Sequence, residues 1–234
     1  MKSLNQLVLV GFMSLVLPAL TLVHASTDEQ SDEIIRMSGL TGLSLQARNL
    51  AQQLINEQQL TVGKQYEVVN AVAAQWAPAK VEQTLQQLLQ NFNAEQREQL
   101  WTVLSSQALR SAHYKEQQAI EAQHSERYQS YLQRLRQQSL MEGRMQLIQR
   151  LDQSMRFSSL LVQTRLDVYQ RLEKAVPNWK APEQWQQKTK DDCIEFLLYA
   201  HRTTPNEQLE ELIELYQTAA LKNWFTQIQR HLRS

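Results

Sequence analysis

Apolar residues recur every three or four positions along most of the chain after residue 26, which is the spacing of amphipathic α-helices. Alternating runs of β-branched residues between turn dipeptides, which mark β-strands, are missing from the sequence. The pattern therefore predicts an all-α protein. We expect an elongated helical bundle with a long central antiparallel helical hairpin, its arms at about 94–138 and 141–176.

Three segments of this pattern carry more specific predictions. In the helix predicted after Thr61, one apolar series is expected to face inward: Val62, Tyr66, Val69, Ala73 and Trp76. Segment 111–130 has few apolar residues, so its helix is expected to bury little and to lie exposed. Segment 141–176 is rich in apolar residues and predicts a helix at the centre of the core.

Local signals mark where several helices begin. Asn93 followed by Gln96 has the spacing of a capping box, and Pro78 suits the first turn of a helix. In the run Thr204-Pro205-Asn206-Glu207, Thr204 is expected to cap the final helix, with the glutamate reaching back to the cap amide. That final helix is predicted to continue to about Leu232.

Residues 1–25 have the features of a secretory signal peptide. Lys2 gives a positive start, an apolar run covers 7–17, and small residues stand before Ser26, so we expect cleavage after Ala25 and a periplasmic location. The alternative is an uncleaved membrane anchor, because residues 7–23 reach the lower limit for a bilayer span. No stable membrane span is expected after cleavage. Residues 26–234 are predicted to form a single all-helical domain, with 26–93 and 94–234 as alternative sub-halves.

The charge composition of the chain bears on whether it binds nucleic acid or another anionic polymer. The 24 basic and 24 acidic residues cancel, which argues against strong steering of the whole protein toward nucleic acid. The charges are unevenly placed, since residues 127–171 contain eight arginines, no lysine and three acidic residues. This segment either forms a basic arm for an anionic polymer or carries solvated arginines that pair locally. Local pairing is the interpretation we favour, and no nucleic-acid partner is expected.

The sequence predicts no catalytic, cofactor-binding or metal-binding residues. The single cysteine, Cys193, lies on an apolar helix face and is expected to be buried and inert. The histidines have no ligand spacing, so exposed or capping positions are expected for them. Nucleophile motifs and glycine-rich phosphate loops are missing as well. A non-enzymatic protein is the resulting prediction.

Three residues are candidates for contact with a partner. Trp179 stands between two prolines and is expected to be partly exposed, which suits a contact surface. Arg134 and Arg136 belong to the arginine-rich segment and project at different angles from the predicted helix. We expect a partner among envelope proteins or cell-wall components.

The C-terminal part of the chain resembles a known family. The segments that carry the resemblance are 197–202 (LLYAHR), 204–209 (TPNEQL), 215–221 (LYQTAAL) and Trp224-Phe225. They resemble a secreted all-helical domain of unknown function that is widespread in proteobacteria. Leu215, Ala219 and Leu221 depart from the aromatic, proline and glycine usual there. The resemblance, mainly over 197–225, implies a helical fold and export, and it implies no reaction.

Three functional hypotheses remain open on the sequence. The first is a non-catalytic protein that binds a macromolecule or associates with the cell envelope through its hairpin. The second is a binding module for an apolar small molecule or lipid, held between the hairpin and the C-terminal helices. The third is a hydrolase with dispersed site residues, which would require Cys193 and His201 to share a deep pocket.

Overall fold

The computed structural model describes residues 27–137 and 142–231, and within these ranges every regular element is an α-helix. The all-α prediction is confirmed, whereas the predicted signal peptide lies outside the described residues. The helices of this part of the chain are α1 (Thr27–Ser38), α2 (Gly42–Gln58), α3 (Val62–Trp76), α4 (Pro78–Gln90), α5 (Ala94–Leu104), α6 (Gln107–Glu121), α7 (Glu126–Gln137), α8 (Glu142–Met155), α9 (Phe157–Ala175), α10 (Trp185–Ala200), α11 (Asn206–Tyr216) and α12 (Ala219–His231).

The long antiparallel hairpin is not confirmed. Three helices, α5 to α7, occupy its first arm, and two helices, α8 and α9, occupy the second. Ser106 breaks the first arm because its hydroxyl accepts the Leu109 backbone N–H and starts α6. Arg156, at φ 55°, interrupts the second arm in the left-handed region. The predicted bend between the arms falls partly on 138–141, outside the described residues.

Asp152 fixes the break between α8 and α9. Its two carboxylate oxygens accept hydrogen bonds from the Ser158 backbone N–H at 2.9 Å and from the Ser158 hydroxyl at 2.6 Å. Both residues are buried. A side chain from the last turn of α8 therefore caps the first turn of α9, although the residue at the cap position itself makes no such bond.

Helix packing follows the buried apolar faces rather than chain order. Helix α9 packs against α2 and α3, while α8 packs against α10 and α11. The first and last described helices, α1 and α12, both pack against α4 and α5. One hydrophobic cluster includes side chains from every described helix. At the end of the chain, the Trp224 ring meets the Phe92 ring edge-on with centroids 5.8 Å apart.

The prediction that segment 111–130 lies exposed is wrong for α6. That helix packs against α10 and α11 and buries Leu109, Ala112 and Ala119. It also buries two polar side chains, His113 and Glu116. The prediction counted only apolar residues as buried, so it left these two out. His113 Nε2 meets the Tyr216 hydroxyl of α11, and Glu116 meets His201 at the end of α10, so a helix poor in apolar residues still packs on two neighbours.

Two further boundary predictions have opposite outcomes. The Asn93 capping box is confirmed, because the Asn93 side chain accepts the Gln96 N–H at 2.8 Å and the Gln96 side chain accepts the Asn93 N–H at 2.9 Å. The predicted final helix is divided at 217–218, where the Thr218 hydroxyl donates to the Leu215 carbonyl and α11 ends. In the described part of the chain, no helix combines the length and apolar character needed to cross a bilayer.

Candidate functional site

An exposed apolar stripe runs along α3. Val62, Tyr66 and Val69 are 68%, 67% and 47% exposed, and they make up three of the four large hydrophobic residues exposed in the described part of the chain. Their spacing of four and three residues puts them on one helix face. We call these three residues the α3 stripe.

The prediction that this series faces inward is wrong for Val62, Tyr66 and Val69, and right for Trp76. Helix α3 carries a second apolar series, Val68 and Val72, and it is this series that packs into the core with Trp76. Only one face of α3 can meet α2 and α9. The stripe is thus an apolar face that the described residues leave uncovered.

A groove between α2 and α3 begins where the stripe ends. Its volume is about 370 Å³, and its walls are one face of α2 and the C-terminal half of α3. Small side chains, including Gly42, Ala51 and Ala73, leave room that larger ones would fill. Val69 belongs to both the stripe and the groove, so the two features form one continuous surface.

The far wall of this groove is held by a partly buried side-chain network. The Trp76 indole N–H donates to Asp167 Oδ2 at 2.6 Å, and Arg171 donates to both oxygens of the same carboxylate, at 2.6 and 3.1 Å. This network joins α3 to α9. It therefore fixes the orientation of the indole at the groove.

Among the residues that the structure describes, Arg48 is the one charged side chain that lines the groove, and it is exposed. It forms no ion pair with any residue that the structure describes. The other polar groups of the lining are those of Thr41, Ser44 and Gln52. The Ser44 hydroxyl is already used, because it donates to the Thr41 carbonyl at 2.9 Å. The groove thus combines apolar walls with a single uncompensated positive charge.

A second candidate is a buried polar cluster where α6 meets α10 and α11. His113 Nε2 lies 3.2 Å from the Tyr216 hydroxyl, and His201 Nε2 lies 3.4 Å from Glu116 Oε1. His201 Nδ1 is 3.3 Å from the Thr204 hydroxyl oxygen. All five side chains are buried. The expectation of exposed or capping histidines is therefore wrong for His113, which is buried within α6, whereas His201 takes the C-cap position of α10.

Burial controls the electrostatics of the cluster. Desolvation lowers the pKa of His113, with nearby His201 acting in the same direction and Glu116 in the opposite one. Burial also raises the pKa of the Tyr216 hydroxyl. Both directions favour the neutral imidazole and the neutral phenol, and Nε2 and the hydroxyl of that pair lie at hydrogen-bond distance.

The order hydroxyl, imidazole, carboxylate in Thr204, His201 and Glu116 has the same groups as a hydrolase triad. Thr204 is only 5% exposed and His201 is fully buried. Lys115 further donates to the Thr204 hydroxyl at 2.9 Å, and none of these residues lines the groove. This arrangement ties three helices together, and it offers a substrate no access to the hydroxyl.

Thr204 also departs from its expected role as a helix cap. Pro205 takes the cap position of α11, and the Thr204 hydroxyl is occupied by His201 and Lys115 instead. Arg144 supports the same corner by donating to the His201 carbonyl and to the Asn206 side chain. The capping prediction is wrong because one distant side chain, Lys115, and one nearby side chain, His201, occupy the hydroxyl.

Cys193 is buried, as expected. Burial raises the pKa of its thiol well above the ordinary value, and the nearby Asp152 carboxylate adds to the effect. His201 lies two helical turns further along the chain and is engaged with Glu116. Neither residue lines the α2–α3 groove.

The three predicted contact residues are placed in two regions. Trp179 is half-buried, with its ring 5.6 Å from that of Tyr169. Arg134 and Arg136 are exposed on α7. Arg136 makes a two-pronged ion pair with Glu195 of α10, at 2.8 and 2.6 Å. The structure does not bring Trp179 into contact with the two arginines through any bond or ring pair between described residues.

Most arginines of segment 127–171 have partners within the protein, in keeping with local pairing. The partners are Glu195 for Arg136, Asn206 for Arg144, Gln229 for Arg156, Thr189 for Arg165 and Asp167 for Arg171. These side chains tie helices to one another or stabilise a single helix. Two of these partners, Glu195 and Asp167, are carboxylates that form ion pairs, and the other three are neutral groups that accept hydrogen bonds.

Within 27–137 and 142–231, no group of three or more histidine, cysteine or acidic side chains is arranged to hold a metal ion. Comparisons with protein-family models, curated proteins and solved structures found no match to this chain. The arrangement of residues alone thus identifies the candidate surface.

Sequence reasoning missed both features of the site for physical reasons. In the sequence, nothing distinguishes Arg48 from a solvated arginine. Its place in the groove depends on the packing of α3 beside α2. His113 and Glu116 are three residues apart on one helix, and their buried partners lie more than 80 residues away. One signal in the sequence could have revealed the α3 stripe. The apolar residues of α3 cover a wider part of the helix surface than one core contact requires.

Proposed function

We propose that this is an exported, non-catalytic binding protein that holds another macromolecule of the cell envelope at the α3 stripe. The observation that carries the proposal is the exposure of Val62, Tyr66 and Val69 on one face of α3. Large apolar side chains that lie exposed together on one face favour an interaction site over ordinary surface. Export rests on the features of residues 1–25 and on the resemblance of 197–225 to a secreted helical domain.

The occupant that fits the stripe is the apolar face of a helix from another protein. Three anchors spaced by four and three residues match the seam between two packed helices. The charged neighbours Lys64 and Glu67 pair with each other on α3, so the stripe has no net charge to contribute. Apolar packing must then supply the affinity, with Tyr66 as the largest anchor.

A photo-crosslinking amino acid at Tyr66 tests this in cells. We expect a discrete adduct with one envelope protein, and we expect Val62→Asp in the same chain to remove it because a charge would be buried in the interface. The crosslinker at exposed Gln83 of α4 is the matched control and should give no such adduct.

Three results would contradict the proposal. They are an adduct that survives Val62→Asp, the same adduct from position 83, and an adduct of twice the chain mass. The last would assign the stripe to self-association.

Trp179, and separately Arg134 and Arg136 on α7, stay predicted contact residues outside the α3 stripe. Replacing Trp179 with alanine should weaken capture of the same partner if the contact extends that far. Unchanged capture would confine the interface to the α3 stripe.

A further inference from the structure

We infer that the groove between α2 and α3 binds a free fatty carboxylate, with its alkyl chain between the two helices and its headgroup at Arg48. This ligand site goes beyond the proposed macromolecular contact. Val62 and Tyr66 do not line the groove, so the two sites can be tested separately.

The shape of the groove favours a single alkyl chain. The lining residues of α2 run from Gly42 to Gln52, which is about 15 Å along a helix axis. The volume of about 370 Å³ lies near the lower end of the range for small-molecule sites, which is about 300–1,000 Å³. A lipid with two chains would need more room, whereas a medium-length single chain matches both the length and the volume.

The walls supply apolar contact along that length. On α3, Val69, Val72, Ala73 and Trp76 follow the helical spacing of one face, and Leu45 and Ala51 stand opposite on α2. Trp76 is held by Asp167, so this wall is formed before a ligand arrives. A preformed wall lowers the ordering cost of binding.

The positive charge in the lining of the groove favours an anionic headgroup on the ligand. Arg48 is the charged member of the lining, and no carboxylate lines the groove beside it. A guanidinium matches a carboxylate in geometry and can donate two hydrogen bonds to it. A cationic headgroup in the same position would be repelled, and a neutral one would gain only the contacts of its chain.

Calorimetric titration of the protein purified after export tests the inference with three amphiphiles that share a twelve-carbon chain. These are dodecanoate, dodecyl maltoside and dodecyltrimethylammonium, each kept below its micelle concentration. We expect dodecanoate to bind once per chain and most tightly. Arg48→Gln should weaken dodecanoate about three- to tenfold and leave the maltoside unchanged.

Two variants test the location. Ala73→Leu fills the groove and should abolish binding of dodecanoate and the maltoside alike. A brominated dodecanoate should quench the fluorescence of Trp76, and Trp76→Phe should remove most of that quenching, which keeps the location testable if the leucine variant folds poorly. Arg110→Gln, at an exposed arginine of α6, is the matched charge control.

The inference is overturned if the three headgroups bind equally, if Arg48→Gln leaves dodecanoate binding intact, or if quenching persists in Trp76→Phe. Tyr66→Ser separates the two sites. It should abolish the macromolecular contact and leave dodecanoate binding unchanged, so each proposal can fail without the other.

Discussion

Protonation of buried His113 should make the free energy of unfolding fall as the pH drops below about 6.5. Burial lowers the pKa of this imidazole in the folded state, while an unfolded chain would have the ordinary value. Unfolding then takes up a proton in the acidic range. The stabilisation is fully present above the unfolded pKa and is lost as the pH falls toward the folded one.

The change in the free energy of unfolding with pH is limited because His113 takes up only one proton. A single group contributes a slope of at most about 1.4 kcal/mol per pH unit. The groups that face His113 are Glu116 on its own helix, His201 after α10 and Tyr216 on α11. Glu116 opposes the lowered pKa, so the observed slope should lie below that limit.

Urea unfolding followed by circular dichroism at pH 8.0, 7.0, 6.0 and 5.0 measures this slope. His113→Leu should flatten it relative to the wild type. Tyr216→Phe should keep the slope but lower stability at every pH by about 1–3 kcal/mol, because His113 Nε2 loses its partner while Nδ1 has none among the described residues. His124→Gln, at an exposed histidine, should change neither quantity.

Equal slopes in the wild type and His113→Leu would refute the reasoning. So would a flattening by His124→Gln of the same size. In either case the acid sensitivity of the protein would have to come from its carboxylates instead.

Three further predictions concern stability and reactivity. Asp152→Ala should lower the free energy of unfolding by about 2–4 kcal/mol in urea titrations, because it leaves the buried Ser158 N–H and hydroxyl unpaired. Cys193 should resist a thiol-specific disulfide reagent in the folded protein and react fully in urea, since its thiol is buried and its pKa is raised. Arg136→Gln should cost at most about 1 kcal/mol, and 0.5 M salt should shrink the difference, because the Arg136–Glu195 pair is largely exposed on the arginine side.

Each of these has a plain contrary outcome. Asp152→Ala with unchanged stability would mean that the turn between α8 and α9 finds another cap. Rapid labelling of Cys193 in the folded state would show that α10 opens locally. A loss above about 2 kcal/mol in Arg136→Gln would mean that the ion pair organises α7 as a whole.

Local chemistry explains which parts of the fold were predictable. The Asn93 box and the first-turn proline Pro78 involve partners within four residues, so the sequence contains everything that determines them. Thr204 also has the residue type and the spacing of a helix cap, yet Lys115 and His201 occupy its hydroxyl. A cap can be predicted only when no distant group competes for the same atom.

Periodicity predicted the helices better than it predicted which side of each helix is buried. Helix α3 has two apolar series, and the choice between Val69 and Val68 depends on where α2 and α9 lie. The burial of His113 depends on Tyr216, 103 residues later. Such pairings depend on tertiary structure, and the residue pattern of one helix does not contain that information.

The packing of α12 against α4 and α5 has a consequence for biosynthesis. Trp224 can reach Phe92 only after every helix from α5 to α12 has been translated. Until then the first ninety or so residues lack a wall of their core, and contacts so distant along the chain form late. The faces of α4 and α5 that α12 covers should thus stay uncovered on the nascent chain until α12 has left the ribosome.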